Sequence, residues 1–139
     1  MGTVIRPEIS KNNKYWINKH RHYELKHFCL QYPTWKKESL DVYNSSMYRS
    51  ISQHSSSSNS PSDPTYMLVM TKLSYEENIN LIERIAKQTD KYLSKYILKA
   101  VTEGLSYTYL KSRLEIPCSR DTYYDRYRRF FWLLSQEKA

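Results

Sequence analysis

The sequence predicts an all-α fold, organised as a helical bundle. Two observations favour helices over sheets. Apolar residues in the second half of the chain recur every three or four positions, which is the spacing of one face of an α-helix. The 139 residues also include only two glycines, Gly2 and Gly104, and hairpin turns are hard to build without glycine. A chain of this length can bury one modest core.

The N-terminal part is predicted to contain two helices separated by a proline. The first is expected within residues 14–31 and the second over 35–43. Thr34 is the expected N-cap of the second helix. Its buried side would hold Trp35 and Leu40.

A serine-rich segment divides the chain. Residues 44–62 contain ten serines among nineteen residues, and they show no helical or strand periodicity. Such a composition buries too little apolar surface to fold, so we expect a flexible linker. It joins a basic helical N-terminal segment (1–43) to a helical domain (63–139).

A long helical pattern follows this segment. Asp63 is the expected N-cap and Pro64 suits the first helical position. The pattern predicts one long helix, or two with a break near Ser74, ending by residues 89–90. Its expected apolar face consists of Met67, Met70 or Thr71, Leu73 or Ser74, Asn78, Leu81, Ile85 and Gln88, widened by Ile79 and Ile82.

Three shorter helices complete the chain. Asp90 is expected to cap the first, and Gly104 to end it by supplying a left-handed residue. The second is expected over 106–114. After a tight turn, Ser119 is expected to cap a final helix from 120 to about 135. The side chains expected to face inward are Tyr92, Leu93, Tyr96, Ile97, Ala100 and Val101, then Tyr109, Leu110 and Leu114, then Tyr123, Tyr127, Phe130 or Phe131, and Leu134.

The order of these last elements predicts a C-terminal helix-turn-helix, over about 90–135. A short helix, a turn with an apolar residue and a helix that opens with polar residues are typical of that motif. The apolar stripe would dock the last helix and leave its first turns free to enter a DNA major groove, where arginines address guanine edges or phosphates. The candidate DNA-binding residues are Ser119, Arg120, Asp121, Thr122, Tyr124, Asp125, Arg128, Arg129, Lys111 and Arg113.

The charge of the chain agrees with such a partner without requiring it. Lys and Arg number 22 against 14 Asp and Glu, which gives a net charge of +8 and a pI of about 9.4. This balance favours a polyanionic partner and opposes an acidic protein that mimics DNA. The alternative is a merely solvated basic face, on which Arg126 and Arg129 pair with acidic neighbours along the helix.

The same region resembles a known family of transcription proteins. Residues 97–107 (ILKAVTEGLSY) and 116–129 (IPCSRDTYYDRYRR) contain an apolar helix, a Gly-Leu-Ser-Tyr turn and a Ser-Arg-x-Thr-apolar motif. This pattern is similar to region 4 of bacterial sigma factors and to phage transcriptional regulators of the ArpU and RinA type. Residues 63–134 and 28–38 (FCLQYPTWKKE) also resemble small prophage proteins of Gram-positive bacteria.

The resemblance implies a phage or prophage regulator that contacts promoter DNA in the cytoplasm of a bacterial host. The residues it places toward the groove are Arg120, Asp121, Tyr124, Asp125 and Arg128. The sequence departs from the sigma pattern because Pro117-Cys118 lengthens the turn and because Tyr123 and Tyr127 replace small aliphatic residues. These departures leave the angle of the last helix open. Nothing resembles the other sigma regions, so a complete sigma factor is excluded.

A second class of function fits the same features. A basic phage protein could bind a host nucleic-acid machine, such as RNA polymerase or a CRISPR effector, and modulate or inhibit it. Helix-turn-helix modules usually act as dimers on paired half-sites, so a homodimer is compatible with the first class. The N-terminal segment could add phosphate contacts or serve dimerisation.

Enzyme, metal and membrane functions have little support in the sequence. The histidines and Cys29 of residues 20–29 lack the i, i+4 spacing with which one helical turn holds zinc. No Walker loop, glycine-rich fingerprint or nucleophile elbow is present, so we expect no cofactor and no catalysis. No signal peptide or apolar run of about 20 residues is present. We therefore expect a cytoplasmic protein without a membrane partner, with Cys29 and Cys118 reduced.

Overall fold

A computed structural model describes residues 11–44 and 64–139, and over these residues the fold is all-helical, as predicted. Asp63 and the predicted flexible linker beyond residue 44 lie outside the described residues. None of the described helices combines the length and apolar composition needed to cross a membrane. The helices are α1 (Lys19–Leu30), α2 (Tyr32–Asn44), α3 (Pro64–Thr89), α4 (Ser94–Glu103), α5 (Tyr107–Leu114) and α6 (Arg120–Glu137).

The described chain forms two compact units. The first contains α1, the last turns of α3 from residue 82, and α4, α5 and α6; the second contains α2 and residues 64–81 of α3. Within the first unit, α1 packs against α4 and α6, and α4 packs against α5 and α6. Burial of apolar surface is the main force that stabilises such a core. Its most deeply buried side chains are Leu25, Cys29, Ile82, Ile85, Ile97, Leu110, Ile116, Tyr123, Phe130, Phe131 and Leu134.

The first helix begins later than the sequence pattern suggests. Asn18 is its N-cap, and the Asn18 side-chain oxygen accepts a hydrogen bond from the backbone N–H of His20 at 2.8 Å. Residues 11–15 form a turn before it. Arg21 donates through its guanidinium to the hydroxyl and carbonyl oxygens of Ser135 and to the carbonyl of Lys138. These carbonyls end α6, where a helix favours positive charge.

The second helix begins earlier than predicted. It starts at Tyr32, so Thr34 lies in its first turn and is not its N-cap. Pro33 fits that turn because the first helical N–H groups have no intrahelical partner. Trp35 is buried as expected, but Leu40 is 60% exposed, because positions five residues apart on a helix point about 140° apart.

The third helix is continuous, without a break near Ser74. Its burial is concentrated after residue 78, and the prediction of an apolar face at its N-terminal end was wrong. Met70 and Leu73 are exposed, whereas Ile79 and Ile82 are buried. Each exposed residue lies nine positions before a buried isoleucine, which places the two on opposite faces of the helix. Met67 and Gln88, which were also expected on this face, are exposed too.

The fourth helix follows a turn that Asp90 organises. The Asp90 carboxylate accepts hydrogen bonds from the backbone N–H groups of Tyr92 and Leu93 at 2.9 and 3.0 Å, and α4 begins only at Ser94. Tyr92 lies in this turn and is 81% exposed, so its predicted inward orientation was wrong. Gly104 ends α4 with φ of 69°, which confirms the predicted left-handed residue.

Candidate nucleic-acid interface

Two serines define the starts of α5 and α6. The Ser106 hydroxyl accepts a hydrogen bond from the backbone N–H of Tyr109, and the Ser119 hydroxyl accepts one from the N–H of Thr122, both at 3.2 Å. A serine at this position satisfies an N–H that has no partner inside the helix. The predicted role of Ser119 as the N-cap of the last helix is therefore confirmed.

The turn between α5 and α6 is fixed at several points. Glu115 adopts the left-handed conformation, with φ of 54°, and ends α5. Ile116 is fully buried, and its N–H donates to the carbonyl of Leu110 at 3.1 Å. The Tyr107 hydroxyl donates to the carbonyl of Cys118 at 2.6 Å. The start of α5 thus holds the end of the turn, which limits the directions in which α6 can leave it.

The buried side of α5 differs from the prediction at one position. Tyr107 and Leu110 are buried and Leu114 is half-buried, whereas Tyr109 is 45% exposed. Tyr107, Leu110 and Leu114 follow the i, i+3, i+7 spacing of one helix face. Tyr109 is two residues from Tyr107 and therefore points away from that face.

The two sides of α6 are separated as predicted. Tyr123, Phe130, Phe131 and Leu134 are buried and Tyr127 is half-buried, and these side chains form a nearly continuous series of aromatic contacts. On the other side, Arg120 and Asp121 are exposed, and Thr122, Tyr124, Asp125, Arg128 and Arg129 are partly exposed. The first half of α6 therefore presents a polar side to a partner while its apolar side is buried.

Arg120 is held by two aromatic rings. Its Cζ atom lies 5.0 Å from the ring centroid of Tyr107 and 5.9 Å from that of Tyr124. Its Nη1 donates to the Tyr124 hydroxyl at 3.1 Å. Cation–π contacts of this kind orient a guanidinium while its other N–H groups stay available to a ligand. Asp121, the next residue, lies in the first turn of α6, where a carboxylate is favourable.

Arg126 connects α6 to the turn before α4. Its Nε donates to the Asp90 carboxylate at 2.9 Å, and its Nη1 pairs with Asp125. Burial acts to raise the pKa of Asp90, but the hydrogen bonds from Arg126, Leu93 and Tyr92 outweigh it and the pKa is lowered. The hydrogen bond to Asp90 raises the pKa of Arg126. Arg126 therefore pairs with acidic neighbours, as one of the alternatives expected.

The remaining basic candidates are less engaged. Within residues 11–44 and 64–139, the side chains of Arg113, Arg128 and Arg129 form no ion pair or hydrogen bond. The expected spacing of Asp125 and Arg129 does not produce a pair, since Asp125 contacts Arg126 instead. Lys111 donates to the carbonyl of Ile116 at 3.4 Å. Positive charge without a partner is thus concentrated on α5 and on the middle of α6.

Two residues of this region were missed as candidates. Tyr107 supports both the turn and Arg120, and Arg126 ties α6 to the α4 turn. The only sequence signal for Tyr107 is its position directly after the cap Ser106. The role of Arg126 depends on Asp90, 36 residues away, and spacing along one helix cannot indicate it.

The histidines of α1 do not form a metal site. In the part of the chain that the structure describes, no three His, Cys, Asp or Glu side chains lie close enough to hold a metal ion. His22 instead packs against Phe131, with ring centroids 4.8 Å apart. Burial raises the pKa of the Cys29 thiol well above its usual range, which makes that thiol unreactive.

Comparisons of the chain with protein families, curated proteins and solved structures found no match.

Proposed function

We propose that the protein is a phage- or prophage-type transcriptional regulator that binds double-stranded DNA. In this proposal α4, α5 and α6 are the helix-turn-helix, and α6 enters the major groove. The observation that carries the proposal is the polar side of α6, from Arg120 to Arg128, which stands opposite a buried aromatic stripe on a helix whose start is fixed by the Tyr107–Cys118 hydrogen bond. The net charge of +8 supports the same partner.

The polar residues of α6 suit different contacts. Arg128 has no ion pair among the described residues and can form a bidentate contact with a guanine edge. Arg120 is already oriented at the helix start, where phosphate oxygens also meet backbone N–H groups. The Asp121 carboxylate opposes phosphate contact but can accept from cytosine N4, so it belongs at the bases rather than at the backbone. Lys111 and Arg113 on α5 are exposed and suit flanking phosphates.

Binding to duplex fragments from the protein's own genetic neighbourhood tests this proposal. Fluorescence anisotropy with excess nonspecific competitor should identify one fragment that stays bound. Arg128→Ala should weaken that complex by about 1–3 kcal/mol, or about 5- to 150-fold. Arg84→Ala is the matched control, since Arg84 lies on α3 and pairs with Glu137 at the far end of α6; it should leave affinity nearly unchanged. Equal binding to all fragments that competitor abolishes would contradict a sequence-reading regulator.

One observation favours a second candidate function, an interaction protein that binds a host nucleic-acid machine such as RNA polymerase or a CRISPR effector. Met67, Met70 and Leu73 are exposed at intervals of three residues on α3, and exposed apolar side chains that share a helix face are typical of protein-binding surfaces. Binding to purified host RNA polymerase or to a CRISPR effector without DNA, lost in Met70→Glu and kept in Arg128→Ala, would support this candidate over the first.

A further inference from the structure

We propose that residues 11–16, here called the basic arm, form a second DNA contact that binds the phosphate backbone beside the groove entered by α6. This inference rests on the proposed function, and it assigns a partner to a segment outside the helix-turn-helix. The arm lies in the same compact unit as α6. Its sequence, KNNKYW, carries Lys11 and Lys14 and no acidic residue.

The arm contacts α6 on the side expected to face DNA. The rings of Tyr15 and Trp132 pack with centroids 5.6 Å apart. On α6, Trp132 follows Asp121, Asp125 and Arg128 at intervals of four, three and four residues, so it continues their face of the helix. Four residues correspond to about 6 Å along the helix axis. The arm therefore lies about one turn beyond Arg128.

The arm is ordered before any partner binds. The Asn13 side-chain oxygen accepts from the backbone N–H of Tyr15 at 2.8 Å, and the Asn13 carbonyl accepts from the N–H of Trp16 at 3.0 Å. A second link between this end of α1 and α6 comes from Arg21, which binds the Ser135 and Lys138 carbonyls. A segment that is already fixed loses less conformational entropy on binding than a disordered tail does.

The charge of the arm fits phosphate. Lys11 and Lys14 are exposed, and the Lys14 ammonium lies 5.0 Å from the ring centroid of Tyr15. Among the residues that the structure describes, neither lysine pairs with a carboxylate. Duplex DNA presents about one negative charge per 1.7 Å of its axis, so a helix lying in the groove has phosphates within reach on both sides. The two ammonium groups extend the positive charge of Arg128 toward one of those strands.

The test is the salt dependence of binding to a fluorescein-labelled duplex of mixed sequence. The double variant Lys11→Gln/Lys14→Gln should bind more weakly by a similar factor on every duplex, and the slope of log affinity against log salt should become shallower by about 2, since each lost phosphate contact removes about 0.9. The charge-matched control is Arg84→Gln/Lys99→Gln, whose members pair with Glu137 and Glu103. It should keep the wild-type slope.

The outcomes separate this inference from the proposed function. An unchanged slope in the arm variant, with Arg128→Ala still weakening binding, overturns the arm contact alone. An equal change in slope in the control also overturns it, because only net charge would then matter. A wild-type protein that binds no duplex at low salt overturns both proposals.

Discussion

At the scale of single residues, the environment of His22 predicts a pH dependence of stability. Burial, and secondarily the charge of Lys26, lowers the pKa of His22 to about 4, whereas an unfolded histidine titrates near 6.5. Between these values the unfolded chain binds a proton that the folded chain does not. Stability is therefore complete above about pH 6.5 and falls toward pH 4, by at most about 3 kcal/mol.

Urea unfolding at several pH values in this range measures the effect. His22→Leu removes the titrating group and should flatten the dependence. The lowered pKa of Asp90 acts in a separate range, below its ordinary value of 3.8. A slope that persists unchanged in His22→Leu would assign the pH dependence to other groups.

The Arg126–Asp90 pair predicts a difference between two neighbouring arginines of α6. Removing Arg126 leaves the mostly buried Asp90 carboxylate without its cation, so Arg126→Ala should lower the free energy of unfolding by about 1 kcal/mol after allowance for solvent exposure. Arg129→Ala removes the same charge from the same helix without breaking a described ion pair, and it should be nearly neutral. Thermal or urea unfolding compares the two. Equal losses would show that the pair contributes nothing specific.

At the scale of elements, the α5–α6 turn depends on one side-chain hydrogen bond. Tyr107→Phe keeps the ring beneath Arg120 but removes the hydroxyl that donates to the Cys118 carbonyl. The free energy of unfolding should fall by about 1 kcal/mol. Tyr109→Phe is the control on the same helix, because Tyr109 is exposed, and it should change stability little. Urea unfolding of both variants measures the difference, and equal stabilities would contradict the role given to this bond.

Helix ends of this protein were easier to predict than helix faces. Gly104 and Ser119 behave as expected because left-handed closure and N-capping depend on the residue itself and its nearest neighbours. Tyr92, Tyr109 and Leu40 were expected to face inward and are exposed. A shift of one or two residues rotates a side chain by about 100–200°, and packing partners that the spacing does not reveal decide which face is buried.

At the scale of the whole molecule, the position of α1 could not be read from the sequence. The helix has few apolar residues, and its packing against α4 and α6 relies on His22, Leu25 and Cys29. Such a stripe, with a histidine and a cysteine in it, is too weak to indicate a docked helix. The all-helical class was predictable because scarce glycine and helical spacing indicate it independently of tertiary contacts.

The candidate interface was predictable only in part for the same reason. Ser119 and the polar side of α6 follow from spacing along a single helix. The placement of Arg120 on Tyr107 and the pairing of Arg126 with Asp90 join residues of different elements. Spacing along one helix therefore identifies a face but not which of its charges are already paired.

The most direct test of the central claim is an NMR titration of the isotope-labelled protein with duplex DNA. If α6 binds DNA as proposed, the largest chemical-shift changes will fall on residues 119–128 and on the exposed side of α5, with further changes in the basic arm. They will shrink as salt rises, because phosphate contacts release counterions. Shift changes confined to α2 and the first half of α3, or none at low salt, would contradict the proposal that α6 binds DNA.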